Sequence, residues 1–264
     1  MSRLEFLKTL SDKDGTRRTG YMLLTPLLII LIWQFSSSLE LVNALFLPGP
    51  WTVFSELVGL CLSAEILPDV GATFVRVFVS FFLAIIIGTP IGMMMGYFKK
   101  VYYSLEFVVD FFRSIPATAL FPLFLLFFGI GDAAKIAIAV WGSTLIIVVN
   151  SMYGVKHANK LRLRAARAYK AKGFKLFRHV ILPESLPEIV TGYRLGVSLC
   201  LIIVIVVEMF IGTNVGLGHR ILDAQLVYKI PEMYSAIILT GVLGYAINKL
   251  FMLLEKKVLH YSGR

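Results

Sequence analysis

The apolar residues of this chain are gathered into long runs, separated by short polar stretches rich in lysine and arginine. The chain has 264 residues, of which 58% are hydrophobic and only 16% are charged. A soluble globular domain is about half apolar and carries about a quarter charged residues. Because the excess of apolar residues lies in runs rather than being spread along the chain, the sequence predicts an all-α integral membrane protein.

Six of the runs are long enough, or nearly so, for transmembrane helices of ~20 residues. The predicted spans are roughly residues 20–39, 71–98, 105–128, 133–153, 189–211 and 233–254. A secretory signal is the competing interpretation of the first run, but its polar lead carries acidic residues and no A-x-A site follows. We therefore expect an N-terminal segment, 1–19, followed by a single membrane domain, 20–264.

Cations are distributed unevenly between the predicted loops. No lysine or arginine occurs from Thr19 to Val75, whereas nine occur between Lys156 and Arg178. Because cytoplasmic loops of membrane proteins are enriched in these residues, both termini and the polar stretch 156–187 are predicted to be cytoplasmic. Topology therefore accounts for the net charge of +10, and we expect no nucleic acid partner.

Small residues recur at every fourth position of the second predicted span: Ala84, Gly88, Gly92 and Gly96. This spacing lets two helix backbones approach closely in lipid. The face could pack within the chain or against a second copy. Pro90 lies in the same run, and we expect it to bend the helix and Thr89 to satisfy the freed backbone group.

The third and fifth spans contain residues that are unusual in a membrane. Pro116 and Pro122 predict a broken or kinked third helix, which survives at membrane depth only if it is buried in protein or lines a water-filled path. Arg113 precedes this break, near the predicted cytoplasmic end. Glu208 lies near the external end of the fifth span and requires a partner or water. Either a structural ion pair or a role in a transport pathway would account for it.

The polar stretch 156–187 contains a predicted amphipathic helix over residues 160–172. One side carries Leu161, Ala165, Ala168 and Tyr169, and the other carries Lys160, Arg164 and Arg167. Such a helix could dock in a groove of a partner, lie on anionic membrane lipid or be a solvated loop. A helix-turn-helix that reads DNA is a poor interpretation, because the element is tethered between two membrane spans.

The same stretch carries a spaced motif. It reads Arg164-Ala165-Ala166, then Lys170, Val180 and Leu182-Pro183. This resembles the cytoplasmic loop of ABC-importer permeases, written E-A-A-x3-G-x9-I-x-L-P. Further motifs in order are Leu47-Pro48-Gly49-Pro50, Thr73-Phe74-Val75-Arg76, Arg113-Ser114-Ile115-Pro116 with Ala119 and Pro122, Gly129-Ile130-Gly131, Glu208-Met209 and Gly216-Leu217-Gly218. Together they resemble the nitrate/sulfonate/taurine class of binding-protein-dependent importers.

The resemblance implies a type I importer-like permease fold with six spans in a bacterial inner membrane. It implies that two copies form one path and that each docks its 156–187 segment on an ATPase subunit, which holds ATP and magnesium. An extracytoplasmic binding protein would deliver a small nutrient such as nitrate, taurine or a sulfonate. The chain has no G-x-x-x-x-G-K-[ST] phosphate loop, so we expect no ATP hydrolysis, catalytic residue, cofactor or metal in it.

The chain departs from the motif at three positions, one of which is Val180 in place of isoleucine. Arg164 stands where these permeases usually have glutamate, and Lys170 stands where they have the glycine that bends the loop. Since only glycine adopts positive φ cheaply, we expect the bend to move to Gly173. We also expect Ala166→Asp to leave the chain folded but uncoupled, because it would bury an unpaired charge at the docking face.

Two other classes of protein compete with an ATP-driven permease. A secondary transporter would require an inverted repeat and intramembrane acids or bases for ion coupling, and the sequence shows neither clearly. A membrane enzyme would require clustered catalytic groups or metal ligands. The four histidines do not have a metal-binding spacing.

Overall fold

The structure is a computed structural model that describes residues 24–212 and 214–258; the predicted N-terminal segment 1–19 lies outside the described residues. Over these ranges the regular elements are helices. They are α1 (Leu24–Ser38), α2 (Pro50–Leu62), α3 (Leu67–Tyr97), α4 (Lys99–Arg113), a 3₁₀ turn (Ala117–Leu120), α5 (Phe121–Phe128), α6 (Asp132–Lys156), α7 (Lys160–Ala168), α8 (Gly173–Leu176), a π-helical turn (Phe177–Ile181), α9 (Leu182–Phe210), α10 (Leu217–Leu226) and α11 (Ile230–Val258).

Four helical segments in the described ranges are long and apolar enough to cross a membrane: α3, α6, α11, and α8 with α9, which run as one helix over Gly173–Phe210. The bent pair of α4 and α5 makes a fifth candidate span. Helix α1 has 15 described residues, fewer than the ~20 that cross a bilayer. The all-α membrane fold is therefore confirmed, while the sixth span and the side on which the termini lie stay predictions.

The core of the molecule lies where α6 packs between α3 and α9. The small-residue face of α3 is directed at α6. A Cβ atom at Gly92 would lie 2.3 Å from the carbonyl oxygen of Val148, and one at Gly96 would lie 2.6 Å from Cβ of Val155. Gly88 has similar neighbours, at 3.0 Å. Because α6 fills this face, the stripe packs within the chain rather than against a second copy.

Helix α3 continues without interruption through Pro90. The hydroxyl of Thr89 lies 3.0 Å from the hydroxyl of Tyr193 on α9. Thr89 and Tyr193 thus form a polar contact between α3 and α9. Because a hydroxyl can donate one hydrogen bond and accept others, the expectation that Thr89 satisfies the backbone group freed by Pro90 stays a prediction.

The third predicted span is broken, as its prolines predict. Helix α4 ends at Arg113, and the segment from Ala117 to Phe128 leaves at an angle of 86°. Pro116 precedes the 3₁₀ turn and Pro122 lies in the first turn of α5, where its missing donor is not needed. Arg113 is half exposed and pairs with Asp110 at 3.4 Å, one turn earlier on the same helix.

The helix that carries the fifth span begins at Gly173, well before the predicted start of that span at residue 189. Helix continues from Gly173 through the π-helical turn into α9. Pro183 follows the π-helical turn at the start of α9, and Pro187 is accommodated inside the helix. The second half of the stretch predicted as a loop is therefore a rigid extension of a membrane helix.

Candidate functional site

The stretch 156–187 is a helical hairpin at one end of the bundle. Helix α7 begins after Asn159, whose side chain accepts hydrogen bonds from the backbone N–H of Leu161 at 2.9 Å and of Arg162 at 3.4 Å. This cap satisfies two of the donors that a helix N-terminus leaves free. The predicted helix is present, but it ends at Ala168 rather than at residue 172.

The turn after α7 is made by Lys170 itself. Lys170 has φ 60° and Gly173 has φ 55°, so the expectation that the bend moves from Lys170 to Gly173 is wrong: both residues adopt positive φ. The N–H of Ala171 donates to Ala166 O at 3.0 Å, and the N–H of Lys170 donates to Arg167 O at 2.9 Å. This pair of bonds is the Schellman motif, and it holds the αL position even when a lysine occupies it.

The face of α7 that packs on the bundle differs from the predicted apolar side. Ala166 and Leu163 pack, with Val180, on a buried cluster formed by Val155, Ala158, Leu176 and Ile181. The predicted apolar side is exposed: Tyr169 is 90% accessible, Leu161 is 72% accessible, and Ala165 and Ala168 are also exposed. Helix α7 therefore presents apolar and cationic side chains together to the outside.

This packing alters one mutational expectation. Ala166 is half buried against the chain's own cluster, whereas Ala165 is exposed. A charge at position 166 would disturb the packing of the chain itself. We therefore no longer expect Ala166→Asp to leave the fold intact, and this variant does not separate a loss of docking from a loss of stability. Position 165 allows that separation.

Most cations of the hairpin are exposed and free of ion pairs. Arg162 pairs with Glu184 on α9. Among the described residues, Arg164, Arg167 and Lys170 form no such pair and are exposed. At the start of α9, Leu182 is half buried and Pro183 is exposed. The hairpin thus carries a free positive surface on a rigid support.

At the opposite end of the bundle, Glu208 is fully buried in a hydrogen-bonded network. Its carboxylate accepts from Nη1 of Arg76 at 2.6 Å, from the Thr73 hydroxyl at 2.9 and 3.0 Å, and from the N–H of Gly218 at 3.0 Å. Arg76 also contacts Asp132 at 2.8 Å. Of the two interpretations of Glu208, the structure supports the structural ion pair.

The network continues through Asp69 and Arg220, which ties α10 and α11 to α3. The Asp69 carboxylate accepts from the N–H of Gly216 at 2.8 Å and from Arg220 at 2.9 Å. Arg220 also reaches Glu232 on α11 at 3.0 Å. Lys135, fully buried on α6, lies within electrostatic range of Arg76, Glu208 and Asp132. Asp69, Lys135 and Arg220 belong to none of the motifs described above, so the sequence alone did not point to them.

Three sequence motifs converge in this network. Thr73 and Arg76 belong to the motif that begins the second span, and both donate to Glu208. The Thr73 hydroxyl also accepts from the N–H of Leu217, and Arg76 donates to the carbonyl oxygen of Val215, next to the Gly216-Leu217-Gly218 motif. A Cβ atom at Gly218 would lie 2.1 Å from the backbone oxygen of Ile205. The first turn of α10 can therefore approach α9 this closely only with glycine at position 218. The presence of all these motifs in one chain is the feature of the sequence that could have drawn attention to this cluster.

The fold and the two ends of the bundle define a multi-pass membrane protein of a transport system. The family described as binding-protein-dependent transport system inner membrane component matches residues 88–259. The chain belongs to this family, whose members are permease subunits of ABC importers in the inner membrane.

Curated relatives match nearly the whole chain. A Bacillus subtilis permease protein assigned to aliphatic sulfonate transport, SsuC, is 31% identical over 95% of this chain and 91% of its own length. The Escherichia coli taurine transport system permease protein TauC is 26% identical over 90% of this chain and 88% of its own. The nitrate import permease protein NrtB of Synechocystis is 29% identical over 87% and 86%.

The fold resembles that of a solved importer. An inward-facing structure of the MetNI methionine ABC transporter matches with a TM-score of 0.65 and 24% identity, covering 73% of this chain and 95% of that one. At this identity the likeness establishes the fold alone. The predicted type I importer-like permease fold is thereby confirmed.

Proposed function

We propose that this permease docks a separate ATPase subunit through its 156–187 hairpin and carries a small nutrient of the sulfonate, taurine or nitrate class. The substrate class rests on the names of the relatives. ATP and magnesium are held by the ATPase, and a binding protein delivers the substrate from outside. Two copies of the chain form the path, with both termini in the cytoplasm.

The observation that carries the docking proposal is the exposed face of α7. It combines uncovered apolar side chains, Leu161 and Tyr169, with free cations such as Arg164 and with the small side chain of Ala165. Aromatic residues and arginine are enriched at protein interfaces, and small residues permit close approach. Leu161 and Tyr169 lie on the same side as the exposed Ala165 and Ala168, so the uncovered apolar surface is a patch rather than a single residue.

The attachment of α7 supports a coupling role. The cluster beneath it joins Val155 at the end of α6 to Ile181 at the start of α9, and Arg162 contacts Glu184 on α9. Because α6 and α9 also form the core of the bundle, a displacement of α7 is passed directly to the helices around the path. An ATPase whose closure moves α7 would therefore bias the path between two states.

Co-purification of the ATPase with Ala165→Asp tests the docking surface. An unpaired charge buried at an interface costs about 2–5 kcal/mol, which weakens binding at least roughly thirtyfold. The amount of ATPase that co-purifies with the tagged variant should fall accordingly, and uptake should fall with it. Ala44→Asp is the matched control, because Ala44 is also an exposed alanine and lies before α2, away from the hairpin.

Unchanged ATPase recovery and uptake in Ala165→Asp, with the variant folded and in the membrane, would refute docking through α7. A loss of recovery that is equal in both alanine variants would also contradict it, because that result points to a general defect. The substrate class is tested separately by competition of uptake with taurine, an alkanesulfonate and nitrate.

A further inference from the structure

An open apolar groove of about 510 Å³ lies beside the hairpin. One wall is the end of α3, with Met93, Met94, Tyr97 and Phe98, and the other is formed by Phe174 and Phe177. The walls are almost wholly apolar, and Phe174 is 73% accessible. A groove of this size accommodates a small ligand or a chain of methylene groups, since ligand pockets measure ~300–1,000 Å³.

The groove lies at the end of a helix that is long enough to cross a membrane, and four lysines adjoin its lining residues in the sequence. Helix α3 is long enough to cross the bilayer, and Lys99 and Lys100 follow its end directly. Lys172 and Lys175 flank the opposite wall at Phe174. All four lysines are exposed and, within the described residues, none forms an ion pair. The site therefore combines an apolar slot with exposed lysines that adjoin its lining residues along the chain, and these are called the rim lysines.

We infer that the groove binds one acyl chain of an anionic phospholipid, with the headgroup phosphate held by Lys172 and Lys175. The apolar walls exclude a polar ligand, because its hydrogen-bonding groups would lack partners there. An apolar side chain from a protein partner would fill the slot but leave the rim lysines without counter-charge. A phospholipid satisfies both requirements, and anionic lipids concentrate on the side of the membrane where cations accumulate.

The lipid would contact two mechanically distinct parts of the chain. One wall belongs to membrane helix α3, and the other belongs to the segment that runs through the π-helical turn into α9. An acyl chain between them holds the end of the hairpin against α3. This consequence rests on the proposed function, whereas the binding site itself does not.

Photolabelling tests the site. The full purified chain is placed in nanodiscs with phosphatidylglycerol that carries a photoreactive acyl chain, and labelled peptides are mapped. Labelling is expected at residues 90–98 and 173–177, and it should be much weaker with the same probe on phosphatidylcholine. Each lysine near an anionic surface contributes about a fivefold change in affinity, so Lys172→Gln with Lys175→Gln should weaken phosphatidylglycerol labelling by about 25-fold.

Two further variants distinguish binding of the lipid headgroup from binding of the acyl chain in the groove. Lys160→Gln with Arg167→Gln removes the same charge from α7 and should leave the labelling unchanged. Met94→Trp fills the groove and should abolish labelling while the four lysines remain. Equal labelling from the two lipids, or labelling that survives the loss of Lys172 and Lys175, would overturn the proposal. Exclusive cross-linking of the groove to a second copy or to an ATPase would assign it to protein instead.

Discussion

Removal of the Glu208 carboxylate tests whether the buried network holds together the end of the bundle opposite the hairpin. In the Glu208→Ala variant, Arg76 keeps Asp132 but loses its closest partner, at 2.6 Å, and the Thr73 hydroxyl and the Gly218 N–H lose their acceptor. The side chains of Glu208 and Arg76 are 0% and 6% accessible, so water cannot replace the lost contacts.

The size of the effect follows from this burial. Removal of one partner of a buried ion pair costs about 3–5 kcal/mol, and the remaining contact with Asp132 places the expected loss near 3 kcal/mol. Asp132 is 58% accessible, so water can take its place beside Arg76, and its pair contributes nearer to the 0–1 kcal/mol of exposed pairs than the buried pair with Glu208 does. Asp132→Ala, which removes the other carboxylate from the same arginine, should therefore cost less than 1 kcal/mol.

The assay is reversible unfolding of the purified chain in mixed micelles with increasing dodecyl sulfate, followed by the fluorescence of its three tryptophans. The free energies of unfolding of the two variants are compared with that of the unmodified chain. A Glu208→Ala loss below 1 kcal/mol, or one equal to that of Asp132→Ala, would refute the conclusion that the buried pair fastens α9 to α3.

Three further predictions concern packing and the hairpin, and each is checked by the free energy of unfolding of the purified chain. Gly92→Ala should cost about 1–3 kcal/mol, because its Cβ would lie 2.3 Å from the Val148 oxygen; Gly71→Ala, with open space around it, should not destabilise. Equal effects would contradict the close approach of α3 and α6. Lys170→Gly should stabilise the chain by about 1 kcal/mol, since it relieves positive φ; a loss would contradict the Schellman turn. Ala166→Asp should cost about 1–3 kcal/mol by placing a charge against the cluster beneath α7, and no change would contradict that packing.

The periodicity and length of the apolar runs were sufficient to predict the helices of the bundle. The four-residue spacing of Gly88, Gly92 and Gly96 also located the face along which α3 approaches a neighbour. It could not identify that neighbour, because the spacing is equally suited to a second copy. The continuation of the fifth helix back to Gly173 was not predicted, because the cation-rich stretch 156–187 was interpreted as a loop.

Contacts between distant residues were the part that the sequence could not supply. Arg76 and Glu208 are separated by 132 positions; the sequence indicated that Glu208 requires a partner but did not indicate which residue it is. The conformation of Lys170 was equally hidden, because a lysine carries no preference for positive φ. The hydrogen bonds around it, rather than its identity, maintain the turn.

Site-specific cross-linking from α7 tests the docking account most directly. A photoreactive residue is placed at position 165 of the full chain, and a second variant carries it at position 44; both are exposed alanines. In native membranes, position 165 should form an adduct with an ATP-binding subunit and position 44 should not. Adducts from position 165 that contain only lipid or a second copy of the chain would contradict the account, because α7 would then face a partner other than the ATPase.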